Sequence, residues 1–107
     1  MSTSHAEMRE TSLARAVRVT NDRVIVELTD GREISTPLGW YPRLVHGRPA
    51  ERQNWELIGD GIGIHWPELD EDLSVEAMLA GRRSGETEAS IQRWLASRNT
   101  GGTGGGR

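Results

Sequence analysis

Three short runs, joined by only three or four polar residues at a time, constrain this chain more than any other feature. They are Leu13-Ala14-Arg15-Ala16-Val17-Arg18-Val19, Val24-Ile25-Val26-Glu27-Leu28 and Glu33-Ile34-Ser35-Thr36. Each is rich in β-branched residues and alternates apolar with polar positions, which is the period of a half-buried strand. Connections this short join antiparallel neighbours, so the opening third is predicted to be a three-strand meander. Thr20-Asn21-Asp22-Arg23 makes the first turn. Thr29-Asp30-Gly31 makes the second, a three-residue loop with glycine at its left-handed last position. The register then sets Val19 opposite Val24, Val17 opposite Val26, and Val26 opposite Ile34, so one face carries the apolar residues. Glu27 falls opposite Glu33, a small cost on a solvated face.

Residues 37–54 change character. Pro42 and Pro49 each suit the first turn of a helix, and Gly47 interrupts between them. Short helical turns over residues 42–46 and 49–53 are predicted as a crossover. Trp55-Glu56-Leu57-Ile58 and Ile62-Gly63-Ile64-His65-Trp66 then form a second hairpin around a two-residue Asp60-Gly61 turn. This pairs Leu57 with Ile64 and Trp55 with Trp66, and it sets Glu56 opposite His65 on the other face. Pro67 ends the strand. A short helix over residues 74–80 is capped by Asp72 or Ser74, buries Val75, Met78 and Leu79, and stops at Gly81. A last amphipathic helix, residues 86–98, carries Ile91, Trp94 and Leu95. The fold class is α+β.

With 107 residues and 35 % hydrophobic content, one domain is the limit. The boundaries are a flexible N-terminal tail over residues 1–12, a small α+β domain over 13–81, and the amphipathic helix over 82–98. A disordered tail over 99–107 follows, because its glycine-rich composition buries too little apolar surface to offset chain entropy. The absence of cysteine excludes disulfides and thiol chemistry. No apolar run reaches a membrane span, and the first 20 residues hold no signal-peptide core. A cytoplasmic address is expected. All 13 basic residues are arginine, against 16 acids, and a net charge of −3 counts against general nucleic-acid binding.

Two stretches carry a resemblance. One is Ile62-Gly63-Ile64-His65-Trp66-Pro67-Glu68-Leu69-Asp70-Glu71-Asp72-Leu73-Ser74. The other is Asp30-Gly31-Arg32 followed by Pro37-Leu38 and Trp40-Tyr41-Pro42-Arg43-Leu44. Together they resemble the bacterial family called domain of unknown function 2442, over roughly residues 14–81. The resemblance implies a small domain of three strands, a helical crossover, two strands and a helix. It implies no catalytic residues. Some relatives append a helix-turn-helix domain, whereas this chain has a single helix after Gly81. Members of that family are often small stand-alone proteins encoded beside another short protein, a setting that suggests a toxin–antitoxin-like pair.

Four groups could carry chemistry. Glu68, Asp70, Glu71 and Asp72 belong to a stretch of seven acids between Arg52 and Arg82 with no arginine among them. They could form an oxygen-rich metal site or an acidic partner face, but capping and surface roles explain them more simply. The polar pair Glu56 and His65 is the minimum for a general base, yet no nucleophile accompanies it, and a structural histidine is the simpler reading. Trp40, Tyr41, Trp55 and Trp66, beside Arg43, Arg48 and Arg52, could stack single-stranded bases. With no phenylalanine in the chain, a core role is favoured. Ile91, Trp94 and Leu95 make one apolar stripe, able to dock a partner, a second copy or its own sheet. The expected function is a non-enzymatic binding module with a protein partner or self-association and with no cofactor, metal or membrane. Nucleic-acid binding through arginines of the crossover and last helix is the alternative, and a histidine- or metal-dependent enzyme ranks last.

Overall fold

A computed structural model describes the backbone of residues 13–105 and side chains as far as Arg98; the predicted N-terminal tail, residues 1–12, lies outside the described residues. Strands β1 (Ala14–Val19), β2 (Arg23–Leu28) and β3 (Glu33–Pro37) form an antiparallel sheet in the order β1-β2-β3. Its register is the predicted one: Val19 faces Val24, Val17 faces Val26, Val26 faces Ile34 and Glu27 faces Glu33. An irregularity between Ala14 and Ala16 inserts Arg15, so that Ala14 turns inward with the valines.

The crossover is a 3₁₀ turn (Leu38–Trp40) followed by α1 (Pro42–Val45) and α2 (Pro49–Gln53). Each helix carries its proline in the first turn. Arg52 of α2 donates from Nε to the Leu44 carbonyl and from Nη2 to the Val45 carbonyl, both at 2.7 Å. It thereby satisfies the orphan acceptors at the end of α1.

Strands β4 (Glu56–Ile58), β5 (Gly63–Trp66) and β6 (Glu71–Ser74) form a second antiparallel sheet with β5 in the centre. Leu57 faces Ile64 and Glu56 faces His65, as predicted. The loop itself spans residues 59–62, and its left-handed positions are Gly59 and Gly61 rather than Asp60 and Gly61. Trp55 precedes the ladder, so the predicted pairing with Trp66 does not form. Strand β6 is the larger departure from the sequence reading, which took residues 68–72 as caps and surface. Acidic residues are poor strand formers and four residues show little periodicity, but pairing with β5 outweighs both. Ala14 N donates to Gly61 O at 2.7 Å and ties the two sheets together. A Cβ on Gly61 would lie 2.3 Å from the Ala14 carbonyl oxygen, so this approach requires glycine.

Helix α3 (Val75–Leu79) starts at Ser74, whose side chain accepts from Ala77 N, and ends before Gly81 in the left-handed conformation. One core cluster draws on both sheets, the crossover and α3. Val24, Val26, Leu28, Leu44, Ile64, Trp66 and Leu69 are fully buried in it. Leu57 and Leu79, predicted core residues, are 36 % and 46 % exposed. The first lies on a three-residue edge strand. The second lies on a helix of barely more than one turn, which points Val75 and Met78 inward and leaves Leu79 at the margin.

Helix α4 (Glu88–Gly105) runs past the predicted end of the last helix. Its backbone includes residues 99–105 of the predicted tail, where each glycine costs about 1 kcal/mol against alanine. Among the described residues, no helix is long and apolar enough to cross a membrane.

Candidate functional site

Alternation along β6 divides the acidic string. Glu71 points inward and is 8 % exposed, whereas Asp72 points outward. Asp70, in the loop before β6, takes a left-handed conformation, φ 52°. Glu68 is exposed and accepts from Asn54 Nδ2 at 3.3 Å. Glu71 is therefore withdrawn from the acidic string, while Glu68, Asp70 and Asp72 remain exposed. No group of three acids and histidines among the described residues could hold a metal ion.

His65 sits in a row across the second sheet, with Glu56 opposite on one side and Asp72 on the other. The predicted partner was Glu56, but the hydrogen bond runs from Nδ1 to Asp72 Oδ1 at 2.5 Å. It needed β6 to exist, so no reading that missed the strand could find it. This bond, supported by the charges of Asp72, Glu56 and Asp70, raises the His65 pKa above 6.5. The bond thus favours the protonated form of the ring and holds it against Asp72 on the outward face.

The densest constellation lies where the crossover, the β5–β6 loop and the last helix meet. Arg43 of α1 donates to both carboxylate oxygens of Glu86, from Nε and Nη2, each at 2.8 Å. Its Nη1 also donates to the Asp70 carbonyl at 3.0 Å. Across the same seam, Arg98 of α4 reaches both oxygens of Glu51 at 3.1 Å and the Glu68 carbonyl at 3.1 Å. Both guanidiniums lie over the Trp94 ring, 5.0 Å and 4.8 Å from its centroid, within cation–π range. Ile91 is buried at 4 % exposure, and Trp94 packs half-buried against the core.

The segment leading into α4 is anchored as well. Ser84 N donates to the Trp40 carbonyl at 3.1 Å, and the Arg83 guanidinium lies 5.3 Å from the Trp40 ring centroid. Ser90 Oγ donates to Glu86 at 2.6 Å, and Thr87 caps the helix by accepting from Ser90 N. The stripe of Ile91, Trp94 and Leu95 read from the sequence as a docking face is thus turned toward its own domain, with Leu95 half-buried at its edge.

Charge explains the titration behaviour of this clasp. Hydrogen bonds from Arg43 pull the Glu86 pKa below 4.5 against the effect of burial. Burial works to raise Glu51, but the Arg48 backbone N–H and Arg98 outweigh it and bring it below 4.5. Glu71 goes the other way. Burial raises it to about 7; the attraction of Arg43 works against this, and the repulsion of Glu86, Asp72 and Asp70 adds to it. The sequence reading missed Arg43, Glu51, Glu86 and Arg98 as one site. They are joined over 43 and 47 residues of chain, and only the placement of Glu51 in the first turn after Pro49 was legible locally.

The crossover aromatics are core or pack against it. Tyr41 and Trp66 are fully enclosed, with Tyr41 Oη donating to Thr36 Oγ1 at 3.0 Å and Trp66 Nε1 to the Arg52 carbonyl at 2.8 Å; Trp40 and Trp55 are partly buried.

A family model described as "Protein of unknown function (DUF2442)" matches residues 14–84. The fold is similar to two solved structures of uncharacterised proteins. One, from Rhodospirillum rubrum, is 31 % identical, with a TM-score of 0.60 over 74 % of this chain and 95 % of that one. The other, from Chromobacterium violaceum, is 25 % identical, with a TM-score of 0.63 over 91 % of this chain and 87 % of that one. No curated protein matches.

Proposed function

The chain belongs to the DUF2442 family, and on that footing we propose that it is a non-enzymatic binding module that docks a protein partner, as the neutralising half of a toxin–antitoxin-like pair would. The observation that carries this reading is the attachment of α4. The helix begins after the family match ends at residue 84. It is held to the body by one buried isoleucine and a set of arginine pairs and stacks. An element that lies outside both sheets and is fixed by side-chain contacts, with no strand ladder, opens more readily than the strands beneath it. Once open, it presents Trp94 and its aliphatic neighbours, the residue types that anchor interfaces.

The nucleic-acid reading draws less support. Of the arginines it would use, Arg43, Arg48, Arg52 and Arg98 already spend donors on Glu86, Glu51 and backbone carbonyls, which leaves Arg93 exposed on the last helix. Affinity capture from native cells, with nuclease treatment, separates the two. Full-length protein should retain a stoichiometric protein partner. Truncation after Gly81 should lose it, and Leu95→Asp should weaken it, while circular dichroism shows the sheets intact. Undiminished recovery by the truncated chain, or captured material that nuclease removes, would overturn the proposal.

A further inference from the structure

The outward face of the first sheet holds a like-charge conflict that the chain does not resolve by itself. Glu27 and Glu33 face each other across β2 and β3. Leu28 N donates to Arg32 O and Leu38 N to Asp22 O, which fixes the phase of the ladder. Glu27 and Glu33 are then a non-bonded pair, the kind whose side chains lie closest. Arg15 takes Glu27 at 2.5 Å, whereas Glu33 is exposed and, among the described residues, has no cation against it. The same phase turns the amides of Glu33 and Ser35, and the carbonyls of Glu33, Ser35 and Pro37, away from β2 and toward the open edge of the sheet. A cation lies at the other end of that edge. Arg23 reaches across β3 and donates to Ser35 Oγ at 2.8 Å and to the Ser35 carbonyl at 3.1 Å. We propose that β3 is the interface of a two-fold dimer, in which it pairs antiparallel with β3 of a second copy, centred on Ser35, and sets Glu33 of each copy beside Arg23 of the other. The inference stands whether or not a partner takes α4.

The edge is self-complementary under that two-fold. Ser35 lies opposite Ser35 of the second copy, and Glu33 lies opposite Pro37 of the second copy. Each edge amide then finds an acceptor. Ser35 N–H donates to the facing Ser35 carbonyl, which has a lone pair beyond the one given to Arg23, and Glu33 N–H donates to the facing Pro37 carbonyl. Pro37 brings no N–H, but it falls at the margin, where water reaches the Glu33 carbonyl. Arg23 is the β2 neighbour of Pro37. The row across the joined sheets therefore runs Glu27, Glu33, Pro37, Arg23, the last two from the second copy, and the bare acid meets a guanidinium. The opposite edge of the sheet is less free. The Val19 carbonyl of β1 accepts from Gln53 Nε2 at 3.4 Å, and Ala14 N is tied to Gly61. A five-residue strand buries little area, so the dimer is weak and depends on concentration.

Sedimentation of the full-length protein from about 10 µM to about 1 mM is the test, and a reversible monomer–dimer equilibrium is expected within that range. The Ser35 amide should exchange with solvent faster at the dilute end, where the edge is open, than at the concentrated end. Glu33→Arg and Arg23→Glu should each weaken the dimer about tenfold, because each sets like charges against one another across the two-fold. Mixed in equal amounts, the two variants should associate as the native protein does, since each then meets opposite charges in the other. Leu95→Asp should leave the dimer in place, because α4 takes no part in it. A native protein that stays monomeric at about 1 mM would overturn the proposal. So would a mixture of the charge variants no more associated than either alone, or a dimer that Leu95→Asp dissolves. Should Arg23→Glu fail to fold, Glu33→Arg decides, because it relieves the conflict with Glu27 within its own chain. A dimer that Glu33→Arg leaves undiminished places the interface elsewhere and refutes the pairing.

Discussion

Replacing Trp66 by phenylalanine tests how the second sheet is joined to the crossover. The indole is fully buried and its Nε1–H reaches the Arg52 carbonyl at 2.8 Å, so one side chain both fills the core and satisfies the end of α2. Going from tryptophan to phenylalanine removes about 40 Å³, and at about 24 cal/mol per Å³ of residual cavity this costs about 1 kcal/mol. The carbonyl left without its donor adds about 1–2 kcal/mol. A total of about 2–3 kcal/mol is expected. Trp66→Ala should cost about 3–5 kcal/mol or more, most of the stability of a domain this size. Urea unfolding followed by far-ultraviolet circular dichroism is the assay, because fluorescence would change with the probe itself. Trp55→Phe, partly exposed, should cost under about 1 kcal/mol. A Trp66→Phe loss no larger than that of Trp55→Phe would refute the reasoning, since both the cavity and the orphaned carbonyl would then be cost-free.

Stability should peak in mildly acidic solution. Glu71 has a raised pKa, so its contribution is complete below about 4.5 and is lost as pH rises through about 7. The loss amounts to about 2–3 kcal/mol after allowing for solvent screening. His65, also raised, adds a loss in the same direction above 6.5. Glu51 and Glu86 are lowered, so their contributions are present above 4.5 and disappear as pH falls through their native values. Denaturant midpoints across this range check the shape, and a wild-type protein more stable at pH 9 than at pH 5.5 would contradict it. Gly61→Ala should destabilise by about 2–4 kcal/mol, because the new Cβ meets the Ala14 backbone in a left-handed conformation. Gly31→Ala, at φ +95° with open space around it, should cost about 1 kcal/mol. Thermal melts that rank these two equally would show that the sheet-to-sheet approach at Gly61 relaxes freely.

Local chemistry alone determined a large part of this protein. The alternating valines with Gly31 at the end of a three-residue loop specify the first sheet, register included, because a one-residue slip would turn every valine to water. The prolines of the crossover and the Ser74–Gly81 caps are likewise short-range, acting within one helical turn. Tertiary structure decided what these rules cannot reach. Strand β6 exists because β5 offers an edge, and the burial it imposes turns one acid of a solvated-looking string into an inward carboxyl near pH 7. Its neighbour becomes the partner of His65 in place of Glu56. Ile91, Trp94 and Leu95 were legible as a stripe, but which surface they meet depends on Arg43 with Glu86 and Arg98 with Glu51. Those pairs are separated by more than 40 residues, and a charge does not announce in sequence which distant opposite charge the folded chain will bring beside it.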